Sequence, residues 1–286
     1  MHRYTVGNAF SEAMAFFRNN MSNLLILLGT AIVIGQVAQG LLVGGGTEAI
    51  GEQFAQQMQA GDVTAAVGLF GGLFAAMMVA AIVQSAAQFA ILRQDLSEEK
   101  DIGSTMVYGL IATIVNLLFW LAVGLVIGLV LFALIAATGV GAGLANGGAP
   151  SASGIAGIVG IFFLVILLVL PLSLWLAARL WVMTPAMAHA RSVNPLYGLA
   201  QSWHLTSGSV QWPVLGTLLL FILVIFAISM VLGIVGAIFT FVGGQVVGTI
   251  IAGVIAGVPT GIASLAMTGG VYRALIPTDT RYDVFN

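Results

Sequence analysis

The chain has 286 residues, 60% of them hydrophobic and only 6% charged, with eight Lys and Arg against ten Asp and Glu for a formal net charge of -2. Soluble domains carry roughly 25% charged residues, so this composition excludes a water-facing surface of ordinary size and assigns the chain to lipid. The scarcity of bases excludes a nucleic-acid partner, and the absence of Cys excludes disulfides, thiolate metal sites and Cys nucleophiles.

The bases fall in four clusters along the chain: Arg3 and Arg18, Arg93 and Lys100, Arg179 and Arg191, Arg273 and Arg281. Each gap between clusters is long enough to cross a bilayer twice, and short cytoplasmic loops accumulate Lys and Arg. The pattern predicts an all-α polytopic membrane protein: six transmembrane helices in three hairpins, with both termini on the cytoplasmic side. The apolar run at 23–43 is longer than a signal-peptide core and carries Gln36 and Gln39, so it reads as a retained first span. Residues 44–64 hold Glu48, Glu52 and Asp62 without a base and form an outer loop, and 65–92 is an uncharged second span ending at Arg93. No charge occurs at 102–178, and bases at both ends require an even number of crossings, which the Gly-, Pro-, Ser- and Asn-rich stretch at 139–154 divides in two. Gly243, Gly244 and Gln245 mark the corresponding turn between the last two spans.

Each hairpin is preceded by an amphipathic stripe, expected to lie along the inner membrane surface. The stripes are Phe10, Ala13, Met14 and Phe17; Val107, Leu110, Ile111 and Ile114; and Leu196, Leu199, Ala200 and Trp203. Tyr108-Gly109-Leu110 recurs as Tyr197-Gly198-Leu199. These features propose a threefold repeat, 1–95, 96–185 and 186–286, inside a single membrane domain spanning 1–286.

Small residues spaced four apart let membrane helices approach closely, and Gly124 with Gly128, and Gly253 with Gly257 and Gly261, have that spacing. The last stripe is expected to pack inside the bundle. Alternatively, the helix unwinds at Gly257-Val258-Pro259-Thr260-Gly261 and breaks at Pro171, as in transporters with discontinuous helices. Gln84 and Gln88 share one helical face with Ser85 nearby, and with Gln36 and Gln39 they form either an interhelical amide cluster or a ligand site. Arg179, between Trp175 and Trp181, reads as an interfacial anchor or as a guanidinium that holds a lipid phosphate, with Arg191 beside it. No Asp, Glu or Lys lies in a predicted span, so ion-coupled transport lacks its usual carrier. His189 and His204 share a loop without a nearby acid, and no catalytic, metal or cofactor constellation emerges.

From Pro171 the order Arg179-Leu180, Pro185-Ala186, Ala200, Ser202-Trp203, Leu205-Thr206, Gly208 and Trp212 resembles the glycerophosphoryl diester phosphodiesterase membrane-domain family. The resemblance implies a six-helix domain of the bacterial cytoplasmic (inner) membrane, without the family's soluble catalytic domain, whose His and paired carboxylates have no counterpart here. Family members often carry bases where this chain has Gln201, His204, Ser207 and Ser209. Lipid contact by this segment would therefore rest on Trp203, Trp212 and the titratable His204. The expected role is a non-enzymatic module that interacts with membrane lipids or assembles with itself or another membrane protein. The alternative is a small transporter or channel built on breaks at Pro171 and Pro259.

Overall fold

A computed structural model of the chain describes residues 4–42, 54–57, 63–97, 99, 101–137, 167 and 169–276. Most of the acidic loop at 44–64 and the whole break at 139–154 lie outside the described residues. Those described are mostly helical, with no strand among them. Five helices are long and apolar enough to cross a membrane: Val6–Gly40, Ile102–Val126, Val169–His189, Gly208–Gly244 and Val246–Leu275. Val63–Leu96 is a further continuous helix of 34 residues.

Local chemistry sets the helix ends. Thr5 caps the first helix by accepting the Asn8 N–H, and Asp101 caps the helix beginning at Ile102 by accepting from Gly103 and Ser104. Asn194 accepts the Leu196 N–H ahead of Pro195, which needs no donor at the first helical position. At the end of Met183–His189, Ser192 N–H donates to the Met187 carbonyl and Arg191 N–H to that of Ala188. This is the Schellman pattern, and it places Arg191 at φ 52.

Two of the three amphipathic segments are not separate surface helices. Val6–Asn23 runs through a π-helical turn, Leu24–Gly29, directly into Thr30–Leu42, and Ile102–Ala137 is unbroken over 36 residues. Only the third, Pro195–Leu205, stands alone. The buried faces also differ from the expected stripes. The first helix buries Ala9, Ala13, Phe16 and Asn20, and Ile102–Ala137 buries Thr105, Tyr108 and Ala112 while Val107, Leu110, Ile111 and Ile114 face outward. In lipid, bulky apolar side chains gain nothing by turning inward, whereas small ones permit close approach.

Glycines make that approach along a seam between the first helix and Val246–Leu275, which runs antiparallel to it. A Cβ at Gly270 would strike the backbone of Ala13, and at Gly269 the ring of Phe16. Further along, Gly257 and Gly261 seat Ile32, Gly253 seats the Gln36 amide, and Gly40 seats Ile250. The predicted glycine stripe therefore packs inside the bundle. Gly124 and Gly128 instead have no described atom within 4 Å of an added Cβ. The helix also does not unwind at Pro259. Its φ/ψ values stay helical there, and the Thr260 hydroxyl donates to the carbonyls of Ala256 and Gly257 beside the proline. Pro171 likewise lies in helical backbone, and the irregularity in Val169–His189 falls later, at Trp181 and Val182.

The predicted interruption at Gly243, Gly244 and Gln245 is present. Gly244 has φ 76 and ψ 171, a region almost reserved for glycine, and it separates two limbs of the helix Gln211–Leu275. An added Cβ at Gly236 would meet Ala252, and one at Gly248 would meet Thr240, so the limbs lie side by side about this residue. The repeated Tyr-Gly-Leu tripeptides also share a use. Gly109 touches the backbone of Ala86, and Gly198 touches Met187 and Met183.

Buried side chains gather toward the end of the bundle that carries the bases. Phe16, Leu24, Ile91, Leu92 and Leu265 meet in one cluster, and Val182, Ala186, Val214, Val271 and Tyr272 in another. Elsewhere the helices present exposed Leu118, Leu125, Leu223, Val231 and Ile234, a surface suited to lipid rather than water.

Candidate functional site

A polar layer joins the helices at the base-bearing end. Asp95 accepts from Asn20 Nδ2 at 2.7 Å and pairs with the Arg273 guanidinium, while Asn23 donates to Gln94 and Gln94 to Thr105. Arg93 pairs with Glu99 at 2.7 Å and lies over the Tyr108 ring, whose hydroxyl donates to the Ser192 carbonyl. His189 Nδ1 meets the Tyr272 hydroxyl at 2.8 Å. Arg93, Arg191 and Arg273, drawn from three of the four predicted clusters, thus converge on one end.

The loop through this layer carries two carboxyls held below their usual range. For Glu99 the Ser104 hydroxyl is the first cause, followed by Arg93; for Asp101 it is the N–H groups of Ser104 and Gly103. A carboxyl depressed on folding adds stability above its unfolded value and loses it as pH falls through the folded one. Acidification from pH 7 to below about 4 is therefore expected to remove amide-exchange protection from Gly103, Ser104 and Thr105 first. Protection at Ala112 should persist; equal loss at both positions contradicts this assignment.

Arg179 does not snorkel. It is 5% exposed, with its guanidinium 4.3 Å from the Trp203 ring and 5.8 Å from that of Trp175, and it donates to the Thr206 carbonyl. The Ser202 hydroxyl in turn donates to the Arg179 carbonyl at 2.7 Å. Arg179 meets no carboxylate among the described residues, and two aromatic faces stand in the place of one. The arrangement fastens the short helix Pro195–Leu205 to the helix Val169–His189. Trp203 is partly exposed, and His204 and Arg191 lie on the surface without joining Arg179 in one site.

The glutamines separate as well. Gln36 faces Gly253 and Gly257, whereas Gln88 lines a polar cavity with Ser85, Thr113, Asn116 and Thr184. Gln84 is half-buried and outside that cavity's lining. Thr113, Asn116 and Thr184 escaped the sequence reading because each is a single polar residue in an apolar run. The i, i+3 spacing of Thr113 and Asn116 was the available signal.

A second concavity is apolar, about 470 Å³, between the first helix and both limbs of the last. Phe10, Met14 and Phe17 form one wall, Phe221 and Ile225 a second, and Pro259 with Ile262 the third. The first amphipathic stripe thus serves as a groove wall. From Val258 to Met267 the groove runs about 14 Å along the helix axis. It offers no nucleophile, no titratable pair and no metal-ligand set; among the described residues no group of three His, Asp or Glu could hold a metal.

Fold and groove together define a multi-pass helical membrane protein with an apolar recess. No protein-family model, curated protein or solved structure matches the chain.

Proposed function

We propose that this chain is a non-enzymatic integral membrane protein of the phosphodiesterase-membrane-domain type, which binds a membrane lipid by laying an acyl chain in the groove beside Pro259. Val63–Leu96 supplies the sixth span, the hairpins begin and end on the cytoplasmic side, and the membrane is the bacterial inner membrane. The convergence of Arg93, Arg191 and Arg273 on one end supports that orientation. The groove carries the lipid reading: its apolar lining suits hydrocarbon, and each methylene moved from water into it gains about 0.8 kcal/mol. In the bilayer the competitor is other hydrocarbon, so selectivity comes from shape, set by Phe10, Phe17 and Phe221. The continuous helix at Pro259 favours this module over a transporter that opens at a broken helix.

Native mass spectrometry of the protein in a mild detergent tests the reading. The wild type is expected to retain a lipid, and Ala263→Trp, which fills the groove from the last limb, to lose at least nine-tenths of it. Retention equal in both proteins, or none in the wild type, refutes the groove as a lipid site.

A further inference from the structure

The polar cavity lies among the helices, apart from the groove, and is built from three elements. Ser85 and Gln88 come from Val63–Leu96, Thr113, Asn116 and Trp120 from Ile102–Ala137, and Thr184 from Met183–His189. Its floor is the Phe89 ring, which packs edge-on against Tyr108 with centroids 6.3 Å apart. Asn116 stands eight residues beyond Tyr108, about 12 Å along the helix. The cavity therefore sits one to three turns above the layer of Arg93 and Tyr108.

Two of its polar atoms have no partner among the described residues. Threonines in helices usually return the hydroxyl to a carbonyl one turn back, and Thr105, Thr217, Thr240, Thr260 and Thr268 all do so. Thr113 does not. It is 5% exposed, and its Oγ1 has no partner among the described residues; the same holds for Asn116 Oδ1. Leaving a buried polar atom without a partner is unfavourable, and here two belong to residues lining one space. Among the described residues no Asp, Glu, Lys, Arg or His lines it. A charged guest would therefore be desolvated without a counter-charge.

The volume is about 160 Å³, below the roughly 300–1,000 Å³ of sites that take drug-sized ligands. That excludes nucleotides and drug-sized molecules. We propose that this cavity binds a small uncharged polyol, either as a free solute or as the hydroxylated end of a lipid headgroup. The hydroxyls of Ser85, Thr113 and Thr184 and the amides of Gln88 and Asn116 both donate and accept, matching a guest whose own hydroxyls do the same. The Trp120 ring offers an apolar face to the guest's C–H groups.

The test is saturation-transfer NMR with glycerol as the probe, on the protein in an amine-oxide detergent whose headgroup carries no hydroxyl. Transfer to glycerol above that of empty micelles is expected for the wild type. Thr113→Val, which keeps the side chain's shape, and Ser85→Ala should each lower it at least threefold, and Thr113→Ser should restore it. Ala263→Trp, in the separate groove, should leave it unchanged. Lactate, a charged probe of similar size, should show no specific transfer. If the guest is lipid-borne, glycerol gives no signal, and native mass spectrometry finds a lipid with a hydroxylated, uncharged headgroup end that Thr113→Val loses and Ala263→Trp weakens less. Glycerol transfer that is identical in wild type, Thr113→Val and Ser85→Ala, or absent from all with no lipid loss on Thr113→Val, overturns the proposal and leaves the cavity to water.

Discussion

Replacing Gly270 by leucine is expected to lower the stability of the bundle by more than about 3 kcal/mol, among the largest effects of any single substitution here. The new Cβ would enter the space held by the backbone nitrogen and Cα of Ala13, which cannot rotate aside as a side chain can. The first helix must then move off Val246–Leu275, and the neighbouring contact of Gly269 with Phe16 goes with it. Gly253→Ala, by contrast, meets only the Gln36 amide, the far end of a flexible side chain, and should cost much less. Thermal unfolding in nanodiscs checks the pair. Equal shifts for Gly270→Leu and Gly253→Ala would mean that the seam is not packed as described.

Asp95→Ala is expected to cost about 3–5 kcal/mol, the usual cost of removing one partner from a buried ion pair. The Asp95 side chain is 5% exposed, and it ties together helices far apart in sequence: Asn20 of the first and Arg273 of the last both reach its Oδ1. Removing the carboxylate takes one buried anion from beside the Arg273 guanidinium, which also lies over the Phe16 ring. A double-mutant cycle with Arg273→Met separates coupling from desolvation. The double variant should be more stable than Asp95→Ala alone, because the buried cation is gone as well. A double variant whose loss is the sum of the single losses would show that the two groups do not interact.

Much of this architecture can be read from composition alone. Long uncharged runs must become helices in lipid, since no other open structure satisfies the backbone there, and two adjacent glycines with a glutamine gave away the turn at Gly244. The seam at Gly253, Gly257 and Gly261 was legible for the same reason, because small residues at four-residue spacing have one common use in membranes. The continuity of the first helix was not. A stripe such as Phe10, Ala13, Met14 and Phe17 has the same 3.6-residue period whether it lies on a membrane surface or walls a groove within it. The partner helix, rather than hydropathy, separates the two: Ala9, Ala13 and Phe16 are buried against the last helix, and Met14 remains outside. Arg179 misled in another way. Its neighbours in sequence, Trp175 and Trp181, belong to the pattern of an interfacial anchor, but the second ring that covers it is Trp203, from a separate helix whose docking no local pattern records. The polar cavity needed tertiary structure, because Gln88, Thr113 and Thr184 come from three different elements.

The π-helical turn at Leu24–Gly29 acts as a vernier on the first helix. Ala9, Ala13, Phe16 and Asn20 keep ordinary helical spacing, whereas Leu24, Leu28 and Ile32, and then Gly40, fall at multiples of four residues. A plain α-helix turns about 100° per residue, so a four-residue step overshoots by about 40° each time, and a few such steps would swing the seam off its partner. The wider turn takes up about one residue of that drift. The N-terminal half can then stay keyed to Gly269 and Gly270 while the C-terminal half meets Gly253 and Gly257. A seam set in this way accepts changes of residue within the turn far more readily than a change in its length, since one residue fewer would rotate everything beyond it out of phase.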